Sequence, residues 1–463
     1  MLFTAESFFD RMRGRRIGLI GVGVSHTALI RRLCAAGARV TARDRRERDQ
    51  LGETLCASLE SGGASLRLGP DYLADLNEEI LFRTPGMPFA HPALAEARRK
   101  GIVVTSELEL FLELCPCPVW GVTGSDGKTT TTTLIARLLE SGGLKVHLGG
   151  NIGRALLPVL DEISPGDAAV TELSSFQLIS MRHSPDVAVI TNLAPNHLDV
   201  HADMAEYVAA KQNIFLHQNG FGRLVLNADD GLVASFAPLA RGAVRFFSRR
   251  RPVENGAFVD AEGRFCLAEN GATVPLLPAG QLRIPGLHNR ENMLAALAAV
   301  GNMASPEAIA RVAREFEGVE HRIEFVRELD GARWYNDSIA TSPTRTLACL
   351  SAFSQRLILI AGGYDKKIPF DPIGPAVARQ VKILILTGPT ADKIESAVRG
   401  APDFSPDAIK IIRAVDLEEA VRRAHELACP GDIVTLSPAC ASFDAYPNFE
   451  ERGRHFKELV HKL

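Results

Sequence analysis

No run of apolar residues in this chain approaches the ~20 that a membrane span requires. Strand-like pieces such as Leu357 to Ala361 reach about a quarter of that length. The opening MLFTAESFFDRMRGRR is amphipathic and lacks the apolar stretch and small-residue cleavage site of a secretory leader. Neither sign of charge dominates: 52 Lys and Arg are interspersed with 55 Asp and Glu, for a formal charge of −3. That balance gives no electrostatic footprint for nucleic acid, so any anionic ligand must be held by a local site. The eight cysteines are scattered, and the one close pair is Cys115 and Cys117. Disulfide frameworks and metal clusters need a different pattern, so reduced thiols in a cytoplasmic protein are expected. Low-complexity segments and short-period repeats are missing as well.

What is present is a larger recurring unit: an apolar strand, a glycine-containing turn, then a helical pattern. Length alone suggests about three domains. Arg16 to Ile20 reads as a strand, followed by GVGVSH and a helix from about Thr27 to Ala36; the next strand, from Arg39, ends at Asp44. A second block starts with the strand Pro118 to Val122, then GSDGKTTTTT and a helix through Leu139, with further strands at Ala168 to Thr171 and Val187 to Thr191. A third has strands near Arg333 to Asn336, Leu357 to Ala361, Lys382 to Leu386 and Ile433 to Leu436. The expected class is α/β, in three domains that each hold a mostly parallel sheet covered by helices. Boundaries near residues 112 and 318 divide the chain into 1–112, 113–318 and 319–463. In such sheets ligands gather outside the carboxyl ends of the strands, where nearly every polar motif falls.

GVGVSH, with Asp44 about twenty residues on, suggests a dinucleotide loop, but His26 occupies the place of its last glycine. GVTGSDGKTT follows an apolar strand and opens a helix, the context in which a phosphate loop is meaningful. Backbone amides of such a loop approach phosphates, the helix start adds partial positive charge, and Lys128 reaches the outer phosphates. Thr129 or Thr130 offers a hydroxyl to a magnesium ion. The spacing departs from the usual motif: Gly121 to Gly127 is six steps instead of five, with Val122 at the expected glycine.

Glu172 closes the strand AAVTE, and His197 follows the strand VAVIT in NLAPNHLD. A carboxylate and an imidazole at one sheet edge suit a divalent cation on phosphate oxygens, although a lone histidine there is more often structural. Lys211 is the more informative residue. In ADMAEYVAAKQNIFLHQ the apolar stripe runs through Met204, Tyr207, Val208 and Phe215, and Lys211 takes a core-facing slot. Two readings stand: a lysine whose stem covers apolar surface, or an amine that burial keeps neutral for chemistry. A neutral amine can add carbon dioxide and become a metal-holding carbamate.

GVTGSDGKTT, ELSSFQL, NLAPNHLD, YVAAKQNIF, GLHNRENMLAA, HRIEF, YNDSIAT, GGYDKK and LSPACASFDAYPNFEERGRHF occur in that order along the chain. Together they resemble the Mur ligase family of cell-wall peptide synthetases, and within it the branch that adds D-glutamate. The resemblance covers essentially the whole chain. It implies a Rossmann-like domain for a UDP-linked substrate, a central P-loop ATP-binding domain and a Rossmann-like amino-acid-binding domain. Its implied reaction joins D-glutamate to UDP-N-acetylmuramoyl-L-alanine at the expense of ATP, through an acyl phosphate, in peptidoglycan synthesis. That role bears on cell shape and division.

Carried over by position, the resemblance implies that Gly124, Ser125, Asp126, Gly127, Lys128, Thr129 and Thr130 hold ATP phosphates, with Asn289 and Asn292 at the base. Thr129, Glu172, His197 and a carbamylated Lys211 would serve two magnesium sites. Lys128, His197, Lys211 and Arg322 would be catalytic, with Arg322 and Asp337 closing over ATP. Gly23, Val24, Ser25, Asp44 and Arg45 would take the UDP, and Asn151 and His197 would border the muramoyl group. Thr341, Lys367, Ser442, Phe443 and Phe449 would form the amino-acid pocket. The adjacent pair Lys366 and Lys367 leaves that alignment open by one residue, and Ile339 stands where some members carry lysine. A monomer is expected, with small-molecule substrates and neither nucleic acid nor membrane as partner. A folate-type glutamate ligase would lack the first domain. A non-catalytic relative would have lost one of Lys128, Glu172, His197 and Lys211, and a nicotinamide oxidoreductase accounts for only the first hundred residues, poorly.

Overall fold

The computed structural model describes residues 4–152, 155–194, 201–366 and 368–463. Its described residues form three sheets of five, nine and six strands. The five-stranded sheet has the spatial order Ser65–Leu68, Arg39–Asp44, Arg16–Ile20, Ile80–Arg83, Val103–Thr105, and all its pairs are parallel. In the nine-stranded sheet the parallel run is Val146–Gly150, Ala168–Glu172, Val119–Thr123, Val187–Ile190, Arg223–Asn227, Ala243–Ser248, Gly256–Val259. Arg264–Glu269 and Ala272–Pro278 extend it antiparallel at one edge. The six-stranded sheet runs Glu324–Leu329, Ala332–Asn336, Ile433–Leu436, Leu357–Gly362, Val381–Thr387, Lys410–Arg413, with its first pair antiparallel.

The central strands are buried on both faces because their sequences are continuous apolar runs. Every residue of Val119–Thr123, Ala168–Glu172 and Leu357–Gly362 is buried. The amphipathic opening is a helix, Ala5–Arg11, started by Thr4, whose hydroxyl accepts from the Ser7 amide, and anchored by buried Phe8 and Phe9. The chain divides into two compact units. One comprises residues 1–281 and 288–314, with the first two sheets; the other comprises 282–287 and 315–463, with the third.

Within the first unit, the end of one sheet is tied to the next by a buried arginine. Arg83 closes the strand Ile80–Arg83 and donates to the Phe176 carbonyl at 2.6 Å and to Ser180 Oγ at 2.9 Å. Burial lowers its pKa to about 10, and its Nε has no protein acceptor. A buried guanidinium without a directly bonded carboxylate is costly, so carbonyl oxygens are recruited to hold it.

Candidate active site

The loop between Val119–Thr123 and the helix Lys128–Ser141 explains the unusual glycine spacing. Gly121 lies inside the strand, where an added Cβ would meet Pro185 at 2.5 Å, and the turn itself begins at Gly124. Gly124 has φ +152°, and a Cβ there would sit 1.9 Å from Thr191 Oγ1. Gly127 caps the helix with φ +77°, its absent Cβ leaving room for Asn292 Oδ1, which would lie 2.2 Å from it. Both positions demand glycine, for conformation and for space. Thr191 Oγ1 donates to the Asp126 carbonyl at 2.6 Å, and the Asp126 amide donates to Asn192 Oδ1 at 2.9 Å, which fixes the loop's open shape. Ser125 Oγ lies 2.9 Å from Tyr207 Oη and donates to the Ala194 carbonyl at 2.9 Å.

Lys128 Nζ folds back and donates to the carbonyls of Gly124 and Ser125, both at 2.9 Å. On the facing strand, Thr129 Oγ1 donates to Glu172 Oε2 at 2.6 Å and Asn151 Nδ2 donates to Glu172 Oε1 at 2.8 Å. Thr130 is buried in the first turn of the same helix. Asn292 packs beneath the loop, accepting from Thr131 Oγ1 at 3.3 Å and donating to Asn289 Oδ1 at 3.1 Å.

Lys211 lies on the inner face of the helix Met204–Leu216, beside buried Tyr207, Ala210, Ile214 and Phe215, as its sequence slot predicts. It is 1% exposed, and its Nζ donates to the Gly124 carbonyl at 2.8 Å and to Thr123 Oγ1 at 3.1 Å. Nζ also sits 4.9 Å from the centre of the Tyr207 ring. Burial, aided by the positive charge of Lys128, pushes its pKa well below the ordinary lysine value. Thr123 and Tyr207 are site neighbours that motif reading missed; Tyr207's place on the Lys211 stripe was the available signal.

The first sheet carries the second candidate cluster. Gly23 caps the helix Val24–Ala35, which includes Ser25. Asp44 accepts from the Val22 amide at 2.7 Å, the Arg46 amide at 2.9 Å, and the Arg46 guanidinium at 2.8 and 2.9 Å. Burial works against its ionisation, but the Arg46 ion pair and these amides outweigh it and hold the carboxyl at about 2. Its immediate neighbour Arg45 is exposed, and Arg46 is the arginine that pairs with Asp44. His26 is buried and donates from Nδ1 to the Gly21 carbonyl at 2.8 Å, so an imidazole fills the place that a third glycine would leave open. Asn151 contacts Glu172 through both its side chain and its amide.

In the second unit, Arg322 lies between two residues in the left-handed region, His321 at φ +64° and Ile323 at φ +45°. For a β-branched residue that conformation stores about 1–3 kcal/mol, held in place by its surroundings. The Ile323 amide donates to Asp337 Oδ1 at 3.2 Å, and Ser437 Oγ donates to Asp337 Oδ2 at 2.7 Å. Burial raises the Asp337 carboxyl to about 6 despite Arg322 nearby. Phe449 starts the last helix; its carbonyl accepts from Ser338 Oγ at 2.8 Å and its ring meets His321 edge-on at 6.1 Å. Ser442 is buried, its carbonyl accepting from the Tyr446 amide at 2.7 Å, whereas the Phe443 ring is exposed and lies 5.8 Å from Tyr364. The Thr341 amide donates to the Ile339 carbonyl at 2.8 Å. Arg452 ties this region together, donating to Ser338 Oγ and to the carbonyls of Ser338, Cys440 and Ala441 at 2.9 to 3.1 Å. It was not foreseen, because a buried arginine on a charge-rich helix reads as solvated. His197 and Lys367 lie outside the described residues, as does the side chain of Val24.

A strand, a glycine-bent turn and a helix opening on Lys-Thr, with a glutamate on the adjacent strand end, have the form of a P-loop. The pattern of the Mur ligase middle domain matches residues 122–300, and that of the Mur ligase glutamate ligase domain matches residues 321–440. The chain is 48% identical over 461 residues to UDP-N-acetylmuramoylalanine–D-glutamate ligase of Acetivibrio thermocellus, covering 99% of this chain and 98% of that one. It is 52% identical over 452 residues to the ligase of the same name from Symbiobacterium thermophilum, covering 97% and 98%. Among solved structures, the fold is similar to UDP-N-acetylmuramate–alanine ligase from Thermotoga maritima, with a TM-score of 0.57 at 17% identity over 97% of this chain and 99% of that one. The chain belongs to the Mur ligase family.

Proposed function

We propose that this protein is the ATP-dependent, ADP-forming ligase that adds D-glutamate to UDP-N-acetylmuramoyl-L-alanine in peptidoglycan precursor synthesis. End-to-end similarity to two ligases of that name carries the substrate assignment, and the intact phosphate loop with Glu172 and Lys211 supports an active enzyme. The three sheets support three domains, 1–112, 113–318 and 319–463, for the UDP-linked substrate, ATP and the amino acid. Because one chain carries all these sites, a monomer suffices. ATP and UDP-linked precursors are cytoplasmic compounds, and all eight cysteines are free thiols, in keeping with that compartment. No helix among the described residues is long and apolar enough to cross a membrane.

The chemistry follows from what the residues hold. ATP phosphates would displace the Gly124 and Ser125 carbonyls from Lys128, so that its ammonium offsets charge building on the transferred phosphoryl group. Among the described residues no group of three or more His, Cys, Asp or Glu is arranged to hold a metal ion. A buried carboxylate bonded to a threonine hydroxyl nevertheless suits magnesium, which takes one or two protein oxygens and fills its shell with phosphate and water. Glu172 and Thr129 would hold the ion, with His197 and Lys211 at a second position. Bound magnesium neutralises phosphate charge and orients the oxygens for in-line transfer. Burial pushes the Lys211 pKa well below the ordinary lysine value, which favours the neutral amine that adds carbon dioxide, and the carbamate would supply an anionic oxygen ligand. The muramoyl carboxylate then attacks the terminal phosphate of ATP, and the D-glutamate amine attacks the acyl phosphate and expels phosphate. Asn289 and Asn292 would contact the base. Arg322 and Asp337 would serve ATP, while Thr341, Lys367, Ser442, Phe443 and Phe449 would hold D-glutamate. Gly23, Val24, Ser25, Asp44 and Arg45, with Asn151 and His197 bordering the muramoyl group, would hold the UDP-linked substrate.

The deciding experiment measures phosphate release from ATP with UDP-N-acetylmuramoyl-L-alanine and D-glutamate, L-glutamate, L-lysine or no amine. Release confined to D-glutamate, with the matching product, is expected. Release with another amine would overturn the amino-acid assignment, and none with any amine would overturn the ligase.

A further inference from the structure

The crossing from the first sheet to the second runs from the helix Glu107–Leu114 through Cys115, Pro116, Cys117 and Pro118 into the strand Val119–Thr123. The two cysteine sulfurs lie 3.6 Å apart, on the same side of the chain. Cys115 is half-buried and Cys117 is buried, so a reagent from solvent reaches the first and not the second. When Cys115 ionises, the Cys117 thiol donates to it, and that hydrogen bond holds the Cys115 thiol below its ordinary range. The exposed Cys429, on the other unit, has no such neighbour among the described cysteines and serves as an internal comparison.

We propose that Cys115 and Cys117 form a dithiol site that low-molecular-weight disulfides oxidise to an intrachain disulfide, lowering the ligase rate. The Cys115 thiolate attacks one sulfur of the reagent disulfide, forming a mixed disulfide and releasing one thiolate. Deprotonated Cys117 then attacks Cys115 Sγ and expels the second thiolate. The dithiol has lost two electrons, the reagent disulfide has gained them, and the two thiol protons pass to the released thiolates. Closure shortens the sulfur separation from 3.6 Å to ~2.05 Å, so the backbone on either side must yield. On one side Cys115 ends its helix, its amide donating to the Phe111 carbonyl at 2.9 Å. On the other, the Val119 amide donates to Asp186 Oδ2 at 2.8 Å, and the same strand leads straight to Gly124. Displacement of a strand that aims a reacting group by ~1 Å costs up to on the order of 100-fold in rate.

The effect on rate rests on the ligase reading above, whereas ring closure does not, and the test keeps the two apart. The full-length protein is equilibrated in oxidised and reduced glutathione, then alkylated and digested. The peptide holding residues 115–117 is expected to lose two hydrogens without carrying glutathione, while Cys429 carries glutathione. Turnover should fall by ~10-fold and return with dithiothreitol. Cys115→Ser and Cys117→Ser, each with wild-type melting temperature and activity when reduced, should keep their activity under oxidation. If either variant fails to fold, the wild-type peptide map and its reversal by dithiothreitol still decide. A glutathione adduct left on Cys115, or unmodified thiols at both positions, would overturn the site. Closure with unchanged turnover would overturn the regulation, and a protein inactive even when reduced would fault the ligase reading instead.

Discussion

Replacing Lys211 with methionine should stabilise the protein and silence it. The side chain is 1% exposed, and methionine nearly matches its stem in length and volume. No acceptor is orphaned by the change: the Gly124 carbonyl keeps the Lys128 donor at 2.9 Å, and Thr123 Oγ1 still donates to the Leu173 carbonyl at 2.7 Å. What disappears is the cost of keeping an amine in a site where burial strongly disfavours its charge. Swapping a buried ionic group for a well-packed apolar one gains about 1–4 kcal/mol, which in a chain of this size is a few degrees of melting temperature. The pH dependence carries the sign. Because the folded-state pKa lies below the unfolded one, the wild type is penalised fully below the folded value, and the penalty fades as pH rises toward the unfolded value of ~10.4. Calorimetry in buffers purged of carbon dioxide should therefore give Lys211→Met a higher melting temperature near neutrality, with the gap narrowing in alkali. Phosphate release should be lost throughout. A variant less stable than wild type by the same margin at every pH would refute the argument, since the lysine would then be a well-satisfied structural cation.

Lys128→Ala should lower turnover by on the order of 100- to 1000-fold with little change in melting temperature; steady-state phosphate release near the wild-type rate would remove it from the chemistry. Gly124→Ala forces a Cβ to within 1.9 Å of Thr191 Oγ1 at φ +152°. It should cost about 1–3 kcal/mol of stability and weaken ATP binding, which isothermal titration would read; unchanged affinity would show that the loop shape is immaterial. Asp337, raised to about 6 by burial, favours the folded state while it is protonated. Its contribution therefore declines as pH rises from ~4 to ~6 and is flat above, a change of roughly 3 kcal/mol. The melting-temperature difference between wild type and Asp337→Asn should follow that window, and a difference independent of pH across it would contradict the burial account.

The parallel cores were legible because buried strands are continuous apolar runs: Arg16–Ile20 and Ile433–Leu436 fall where the sequence places them, and Leu357–Gly362 differs by one residue. The edge strand Ala272–Pro278 was not seen, because its exposed residues lack that run, whereas its neighbour Arg264–Glu269 holds a buried run, Phe265 to Ala268, too short to stand out beside the charged residues that flank it. Lys211 was legible from helical period alone, as its neighbours Tyr207 and Phe215 point the same way. The partnership of Asp44 with Arg46 was not, since spacing names a carboxylate without telling which of two adjacent arginines turns back to it. The left-handed turns at His321 and Ile323 carry no glycine signal, so nothing in the sequence announces that Arg322 stands on a strained corner. Likewise the fold of Lys128 onto its own loop is a property of the turn, outside the reach of a motif.

The outermost strand of the nine-stranded sheet, Ala272–Pro278, contains Pro275 and Pro278. Neither has an amide hydrogen to offer a further strand, and the stretch Ala272–Val274 faces solvent. A long mixed sheet with a bare rim would invite neighbouring molecules to zip on and grow. Here the two prolines interrupt the ladder on which growth would template. Exchanging both for valine would restore an unbroken rim, and would turn a self-limiting sheet into a seed for assembly.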